Sequence, residues 1–542
     1  MKMSYLCIWM LSLLLSIPLS GKDKGKDSAR YVTWYLKDAE KDRIPGTGME
    51  RAFQELLKRK KPSRVIVAVI DGGMDIRHRE LQDHLWKNDD EIPWNEIDDD
   101  HNGYIDDTCG WNFLGGPGGR SIDYETVEVT RLYRQYKTKI DSMRNGYCDS
   151  LTEPCTFYGQ IADEYEKKLK EAKETLSLVS FIEEMYSHAD SIIRLSLQKE
   201  NYSLQEVKKL KPVNKEAKTS KKLILFLEKQ GVSLQDIKEM KQQYEEKVKY
   251  HYNINYSPRQ EIIGDDPAVN NNRFYGNNHL SFRPYHATAV AGIIVKINTL
   301  AKTVNGISDS IVIMPVVAIP DGDEYDKDVA NAIRYATDNG ARIINMSFGK
   351  GYSPYKAMVD SALRYAEEKG VLLIHAAGND ASNIDKEMSY PSFLTNDSHQ
   401  CNNGITVGAS TPFLNRHLIA DFSNYGKKNT DLFAPGTYIY APYPANTYRM
   451  MEGTSFSAPV VTGIAAAIFS YYPELSASEV KEIIIGSTRK FPRKRFFVPS
   501  PNEKKRKEKK CLSELCVSGG IVDGYAAIRK AEEYMMKHKT AH

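Results

Sequence analysis

Continuous apolar runs recur along the chain at lengths typical of buried β-strands. The first run, residues 65–70, reads Val-Ile-Val-Ala-Val-Ile. An unbroken β-branched run of this kind indicates a strand that is covered on both faces in a parallel sheet. The same pattern predicts further strands at residues 311–317, 341–347, 371–377, 405–409 and 432–433.

Helical patterns lie between these predicted strands. Apolar residues at helical spacing predict helices over residues 328–339, 355–369 and 460–472. Gly340 and Gly370 stand where the first two of these helices are expected to end. Because strands and helices alternate, the predicted fold class is α/β, with a doubly wound and mainly parallel sheet.

A long helical stretch interrupts this alternation. Between residues 161 and 250 the chain is rich in Lys and Glu, and Pro212 and Gly231 are its only proline and glycine. We therefore expect an inserted helical subdomain at residues 121–277. Residues 202–211 and 232–241 are similar to each other, and each segment begins with the Ser-x-x-acid pattern of a capped helix. The match has two alternative explanations, which are a duplicated helical hairpin and a chance similarity.

The amino-terminal residues have the order of a secretory signal peptide. Lys2 precedes an apolar run at residues 6–19, and a polar stretch follows. The run is shorter than the roughly 20 residues that a spanning helix needs. We therefore expect a signal peptide at residues 1–20, export to the periplasm or the extracellular space, and no stable membrane anchor after its removal. A retained anchor is the alternative.

Composition and charge narrow the class of protein. The chain has 542 residues, of which 41% are hydrophobic, so it is neither a disordered tail nor a fibrous protein. Lys and Arg number 74 against 71 Asp and Glu, a net charge of +3. This balance predicts no nucleic-acid partner, and it leaves the oligomeric state open.

The cysteines fit an oxidising compartment. One of the seven, Cys7, lies in the predicted signal peptide, which leaves an even number in the mature chain. Free buried thiols are the alternative to disulfides. Proximity along the chain predicts the pairs Cys148–Cys155 and Cys511–Cys516, with Cys109 and Cys401 either paired together or free.

Three short segments carry residues suited to nucleophilic catalysis. Asp71 follows the first predicted strand, at the strand end where ligands gather in open α/β sheets. His286 precedes a run of small side chains, and Ser455 lies at the turn into an apolar helix. Each residue alone has an ordinary structural explanation, such as a helix cap for the serine.

Together, the three segments resemble the signature blocks of the subtilisin-like serine peptidases (subtilases), which also have the order Asp, His, Ser. Residues 345–349 (Asn-Met-Ser-Phe-Gly) are similar to the substrate-aligning strand of that family. Residues 376–379 (Ala-Ala-Gly-Asn) are similar to the block that carries its oxyanion-hole asparagine, and residues 433–436 (Phe-Ala-Pro-Gly) to the segment before its serine block. The resemblance covers roughly residues 34–123 and 278–530.

The resemblance implies a serine endopeptidase that acts on protein or peptide substrates through an acyl-enzyme and needs no organic cofactor. It implies that Ser455 is the nucleophile, His286 the general base and then acid, Asp71 the carboxylate that orients the imidazole, and Asn379 the oxyanion donor. The residues implied to bind substrate are Ser347, Phe348, Gly349, Ala376, Ala377 and Gly378. The alternative is a catalytically weak or inactive exported scaffold that acts through the helical insertion.

Some residues depart from the family pattern. Subtilases usually have Gly directly after the catalytic histidine and a second His two residues further on, where this chain has Ala287 and Ala289. We expect the methyl group of Ala287 to crowd the substrate side. Phe456 replaces the usual Met after the serine. The remaining histidines that we considered are interpreted as structural: His78, His84, His101 and His375.

An acidic segment at residues 98–107 predicts a structural calcium site. Oxygen-bearing residues alternate there around Gly103, as in the first half of an EF-hand loop. The twelfth position is Cys109 rather than Glu, which excludes a complete EF-hand. An acidic turn without metal is the alternative. The expected ligands are Asp98, Asp100, Asn102, the Tyr104 carbonyl and Asp106.

The place of the insertion suggests a role for it. Loops at strand ends in doubly wound sheets lie on the side of the active-site crevice. We therefore predict that the helical subdomain filters which substrates enter, with a remote helical appendage as the alternative.

Overall fold

The computed structural model describes residues 31–142, 153–270, 272–305, 310–500 and 508–539. The predicted signal peptide and Cys148 lie outside these residues. The strands of the described residues are β1 (Val65–Asp71), β2 (Trp111–Asn112), β3 (Ile311–Val317), β4 (Ile343–Met346), β5 (Leu372–Ala376), β6 (Gly404–Ser410), β7 (Leu432–Pro435), β8 (Ile439–Tyr443), β9 (Thr447–Met451), β10 (Arg489–Lys490), β11 (Phe496–Phe497), β12 (Lys509–Lys510) and β13 (Gly520–Ile521).

Most of these strands form one large sheet. Its nine strands have the order β10-β13-β7-β6-β5-β4-β1-β3-β2, and every neighbouring pair is parallel except β10 with β13. Two antiparallel pairs, β8 with β9 and β11 with β12, lie outside this sheet. The α/β class and the mainly parallel sheet predicted from the apolar runs are confirmed.

The central strand β1 is buried on both faces, as its unbroken apolar run predicts. Val67 and Val69 belong to one core cluster, whereas Ala68 and Ile70 belong to the cluster on the opposite face. This division follows from the alternation of side chains along a strand. β1 therefore has a core on each side, and its carboxyl end reaches the edge of the sheet at Asp71.

The helices flank this sheet or form the insertion. They are α1 (Met49–Ala52), α2 (Glu128–Ser142), α3 (Glu153–Leu197), α4 (Leu204–Lys209), α5 (Lys215–Lys229), α6 (Leu234–Glu246), α7 (Arg259–Ile262), α8 (Tyr285–Asn305), α9 (Asp326–Asp338), α10 (Lys356–Glu368), α11 (Thr454–Tyr471), α12 (Ala477–Gly486) and α13 (Gly524–Lys539).

Helix α11 is the most apolar helix of the core. Among the described residues, it is the one helix long and apolar enough to cross a membrane, but 89% of that stretch is buried inside the protein. It shares a core cluster with α8, and Gly463 of α11 lies so close to Ile297 that an added Cβ would come within 2.8 Å of the isoleucine side chain. This close packing is typical of a core helix.

The chain divides into two compact units. One contains residues 129–256, and the other contains residues 29–128 and 257–542. Residues 121–128 and 257–277, which we assigned to the insertion, therefore lie in the unit that contains the sheet.

Residues 129–256 form helices with a core of their own. Val179 and Ile182 of α3 pack with Leu227 of α5 and Ile237 of α6. The two similar segments begin α4 and α6, and both start with the capping box that the Ser-x-x-acid pattern predicts, at Ser203 and Ser233.

The predicted disulfide between Cys511 and Cys516 is wrong, because both residues are free cysteines. A short helical turn at Leu512–Glu514 lies between them, and the backbone N–H of Cys511 donates to the Glu514 carboxylate at 2.9 Å. The Cys516 sulfur is buried and lies 3.9 Å from the carbonyl oxygen of Gly520. Cys109 and Cys401 are also free, which was one of the two expected outcomes.

Candidate active site

Asp71 and His286 form a close pair at the carboxyl end of β1. Both carboxylate oxygens of Asp71 lie 2.9 Å from Nδ1 of His286, the second residue of helix α8. The backbone N–H of Gly72 also donates to Asp71 Oδ1, at 2.7 Å. Because Asp71 is only 4% exposed, its carboxylate has little freedom to turn away from the imidazole.

This pairing controls the charge of the imidazole. Burial alone would lower the pKa of His286, but the negative charge of Asp71 and its hydrogen bond outweigh burial and raise the pKa above its usual value. The carboxylate also holds a proton on Nδ1, which leaves Nε2 as the nitrogen that can accept a proton.

The segment before α8 is held against the end of β1 by close backbone packing. The backbone N–H of Met74 donates to the Leu280 carbonyl at 2.8 Å. At Gly73, an added Cβ would lie 1.8 Å from the carbonyl oxygen of Phe282, so only glycine fits there. The glycines after Asp71 therefore let the chain that leads into His286 approach the aspartate.

Ser455 lies at the start of helix α11. The residue before the helix, Gly453, has φ +145°, a conformation that other residues rarely adopt. The Ser455 hydroxyl donates to the carbonyl of Ser347 at 3.0 Å. Among the described residues, no hydrogen bond joins this hydroxyl to His286, although the His286 ring lies 5.4 Å from that of Phe456.

A chain of hydrogen bonds positions Ser347, the residue after β4, beside Ser455. Asn345 donates from Nδ2 to the Ser347 hydroxyl at 2.8 Å, and that hydroxyl donates to the Ser455 carbonyl at 2.8 Å. The hydroxyl of Thr462, two turns further into helix α11, donates to Oδ1 of Asn345 at 2.9 Å. These buried contacts fix the end of β4 relative to the serine, and sequence patterns alone did not identify Asn345 and Thr462 as supporting residues.

Asn379 is held so that its amide nitrogen remains available. Its Oδ1 accepts hydrogen bonds from the backbone N–H of Thr454 at 2.9 Å and from the Thr454 hydroxyl at 3.0 Å. That hydroxyl in turn accepts the backbone N–H of Gly378 at 3.1 Å. With Oδ1 occupied, the exposed amide presents its Nδ2 donor.

The residues expected to bind substrate lie at the ends of two neighbouring strands. Ser347, Phe348 and Gly349 follow β4, and Ala376 ends β5 before Ala377 and Gly378. Since β4 and β5 are parallel neighbours, their carboxyl ends meet at the same edge of the sheet. Ser347, Ala376 and Ala377 are buried, whereas Gly349 is exposed.

Two buried side chains hold the segment that follows β4. Nε2 of His375 donates to the Phe348 carbonyl at 2.8 Å, and burial lowers the pKa of His375 to about 4, so this histidine stays neutral. The ammonium group of Lys350 contacts the Glu128 carboxylate at 2.7 Å and the Asp326 carboxylate at 3.0 Å. His375 is structural, as expected, while nothing in the sequence pattern singled out Lys350.

The departures from the family pattern do not obstruct the site. Ala287 and Ala289 are 1% and 0% exposed and both lie in the core cluster. The expectation that the Ala287 methyl group crowds the substrate side is therefore wrong, because that methyl group packs into the core. Phe456 is also buried, at 4% exposure.

The acidic segment forms a network rather than the regular loop that the alternating pattern predicts. The Asp98 carboxylate accepts the backbone N–H groups of Asn102 and Gly103, at 3.0 and 2.9 Å. The Asp106 carboxylate accepts those of Asn95 and Glu96, at 3.2 and 3.0 Å. Both carboxylates are therefore occupied by backbone donors.

Three other carboxylates of the segment converge. Oxygens of Glu91, Asp100 and Asp107 lie within 4.8 Å of one another. Asn88 Nδ2 donates to Asp100 at 2.9 Å and to Asp107 at 2.7 Å. Burial raises the pKa of Asp107 to about 7 and also raises that of Glu91. Asp100 was among the expected ligands, whereas Glu91 and Asp107 fall outside the alternating pattern. The Tyr104 ring packs edge-on against Trp111, which leaves the expectation for its backbone carbonyl untested.

Comparisons with known proteins relate this chain to one protein family. The model of the subtilase family matches residues 63–514. Subtilisin DY of Bacillus licheniformis is 34% identical over 200 residues, which cover 36% of this chain and 67% of that protein. The cell wall-associated protease of Bacillus subtilis (strain 168) is 34% identical over 209 residues, which cover 38% of this chain and 22% of that protein.

A solved structure is also similar. A cold adapted subtilisin-like serine proteinase matches 40% of this chain and 72% of its own, with 25% sequence identity and a TM-score of 0.33.

Proposed function

Because this chain belongs to the subtilase family of serine endopeptidases, we propose that it hydrolyses peptide bonds through an acyl-enzyme formed on Ser455. The observation that carries the proposal is the buried Asp71 carboxylate held 2.9 Å from Nδ1 of His286. A base oriented in this way is what a serine hydroxyl needs to become a nucleophile.

The reaction begins with proton transfer. In the substrate complex the Ser455 hydroxyl turns from the Ser347 carbonyl to Nε2 of His286, which takes the proton while Oγ bonds to the scissile carbonyl carbon. Asp71 stabilises the imidazolium that results. His286 then donates this proton to the leaving amine as the C–N bond breaks. Water attacks the acyl-enzyme in the second half of the reaction, again with His286 as the base.

Asn379 has a separate role in the same steps. When Oγ attacks, the carbonyl oxygen of the substrate gains negative charge. A donor that is already oriented stabilises this charge without reorganisation. The Nδ2 group of Asn379, held from the opposite end by Thr454, is such a donor.

Turnover of a peptide substrate tests the proposal. Ser455→Ala and His286→Ala should each abolish hydrolysis and keep the wild-type melting temperature, because neither change empties the core. As a matched control, Ser513→Ala removes a serine from an exposed turn near the carboxyl terminus and should retain full activity. Wild-type turnover by Ser455→Ala would contradict the assignment of the nucleophile.

Family membership and the amino-terminal sequence support a proposal for the substrates and the location. We propose that protein or peptide chains are the substrates, with Ser347, Phe348 and Gly349 along one side of the substrate backbone and Ala376, Ala377 and Gly378 along the other. The apolar run at residues 6–19 supports export through a signal peptide.

A structural calcium ion completes the proposal. Calcium prefers several oxygen ligands from carboxylates and carbonyls. The convergence of the Glu91, Asp100 and Asp107 carboxylates within 4.8 Å fits such an ion. We propose that Glu91 and Asp107 join Asp100 as ligands, beside the other expected ligands Asp98, Asn102, the Tyr104 carbonyl and Asp106. The ion would neutralise carboxylates that otherwise repel one another.

A further inference from the structure

A second group of metal-ligating side chains lies outside the active site. Glu367, His399 and Cys401 each present one ligand atom, and these atoms lie within 4.8 Å of one another. Glu367 belongs to the last turn of helix α10. His399 and Cys401 lie in the loop that precedes β6. Neither the proposed catalytic mechanism nor the proposed calcium site uses any of the three.

The loop presents His399 and Cys401 on the same side. Leu394 and Gln400 form an antiparallel bridge, and the backbone N–H of Cys401 donates to the Phe393 carbonyl at 2.9 Å. In extended backbone, residues two positions apart point to the same face. The His-x-Cys spacing therefore directs an imidazole and a thiol together toward α10.

Backbone contacts hold the ligands in place. The backbone N–H of Asn402 donates to Oε1 of Glu367 at 2.6 Å, which ties the loop to the helix. The carbonyl of His399 accepts both the backbone N–H and the hydroxyl of Thr395, at 2.9 and 3.0 Å. The three ligands thus come from the last turn of a helix and from a loop that is hydrogen-bonded to it.

A tetrahedral zinc ion needs a wider spacing between His399 and Glu367 than their present hydrogen bond gives. Nε2 of His399 lies 2.7 Å from Oε2 of Glu367. Zinc–ligand bonds of about 2.0–2.3 Å place neighbouring ligands roughly 3.3–3.8 Å apart. Small rotations of the two side chains therefore make room for an ion between them.

The exposure of the three ligands leaves an ion a route from solvent to the buried thiol. Cys401 is fully buried, whereas the side chains of Glu367 and His399 are 22% and 41% exposed. An ion can therefore enter from the exposed side and keep a water molecule as its fourth ligand, as zinc sites with three protein ligands do.

The donor set selects the kind of metal. A thiolate, an imidazole and a carboxylate suit zinc and similar divalent transition metals, whereas calcium and magnesium take oxygen ligands alone. The thiolate and carboxylate together match the two positive charges of the ion. The Arg364 guanidinium is already paired with the Asp397 carboxylate.

We propose that Glu367, His399 and Cys401 bind a divalent transition metal of the zinc class. On binding, the Cys401 thiol loses its proton to solvent and its sulfur bonds to the ion, while His399 keeps its single proton on the ring nitrogen that does not bind. The ion would link the loop before β6 to helix α10.

Cobalt(II) is the probe for the test, because a cobalt–thiolate bond has a characteristic charge-transfer absorption. The full chain, kept in excess calcium so that the acidic segment stays saturated, is titrated with cobalt(II) and then with zinc(II). We expect one equivalent of cobalt to produce the thiolate band and zinc to displace it. Absence of the band in the folded wild-type protein would overturn the proposal.

Variants identify the ligands. Cys401→Ser should remove the thiolate band, and His399→Gln or Glu367→Gln should weaken zinc binding by more than about tenfold. Cys511→Ser, which removes another free cysteine, is the matched control and should leave the band unchanged. A thiolate band that persists in Cys401→Ser would contradict the site. If Cys401→Ser does not fold, unchanged zinc affinity in the two surface variants would overturn the proposal equally.

Discussion

Thr454 holds Asn379 with two hydrogen bonds to the same oxygen. Its backbone N–H and its hydroxyl donate to Oδ1 of Asn379 at 2.9 and 3.0 Å. Thr454 directly precedes Ser455 in the first turn of helix α11. The proposed nucleophile and the proposed oxyanion donor are therefore positioned by adjacent residues of one helix end, so that displacement of either one affects the other.

This relationship predicts that variants of Asn379 and Thr454 lower kcat to different extents. Asn379→Ala should lower kcat by about 10²–10³-fold, the loss known for removal of one such donor in subtilisin, with little change in KM. Thr454→Val keeps the backbone N–H but removes the hydroxyl, so it should lower kcat less than Asn379→Ala does. Thr454→Ser should restore activity, which a purely structural role for the Thr454 methyl group would not allow. Steady-state kinetics on one peptide decide the order.

The charge of Asp71 should be visible in the pH profile. His286 must be neutral to accept a proton, so kcat/KM should rise with pH as His286 loses its own proton. Asp71 contributes to the raised pKa of His286. Asp71→Asn should therefore shift the acidic limb of kcat/KM to lower pH and reduce kcat by about 10⁴-fold.

The control for this profile is Asp75→Asn, a change in a nearby aspartate that accepts the backbone N–H of Ala445 instead of contacting the imidazole. An acidic limb that stays in place in Asp71→Asn would show that Asp71 does not set the pKa of His286.

Calcium should stabilise the folded protein through the acidic segment. A ligand present at about 100 times its Kd adds roughly 2.7 kcal/mol to the free energy of unfolding. Chelation should therefore lower the melting temperature of the wild type, and Glu91→Gln and Asp107→Asn should remove most of this response. Asp89→Asn changes an exposed carboxylate nearby and serves as the control. A melting temperature that does not respond to chelator would contradict the proposed ion.

Much of the fold could be predicted because buried strands leave a clear pattern. The run at residues 311–317 matches β3 exactly in extent, and the run at residues 65–70 ends one residue before β1 does. The β8–β9 hairpin was missed because residues 439–451 mix exposed and buried positions and contain prolines instead of a continuous apolar run. Edge strands of this kind lack the burial on both faces that makes a run recognisable.

The residues of the site also divide into those that the sequence predicted and those that it did not. Asp71, His286, Ser455 and Asn379 could be identified because they stand in short family-like blocks, although their distances depend on contacts between distant parts of the chain. Supporting residues such as Thr462 carry no such signal, since a threonine inside an apolar helix is ordinary. Glu91 was missed as a possible calcium ligand because it approaches Asp100 through a turn, outside any regular spacing.

The role of the insertion stays a prediction, and replacing its helices tests it. Residues 129–256 form a compact unit with their own core, so a short flexible linker in their place should leave the sheet intact. If these helices filter substrates, kcat/KM should rise more for a folded protein substrate than for a small peptide. An equal effect on both substrates would reject the filter.

The central claim is that Ser455 is a nucleophile activated by His286 and Asp71. The most direct measurement is covalent labelling of the folded protein by a fluorophosphonate, followed by identification of the modified peptide. The account predicts one label on Ser455, slower labelling in His286→Ala and none in Ser455→Ala. A folded wild-type protein that takes no label, or one labelled equally after Ser455→Ala, would contradict it.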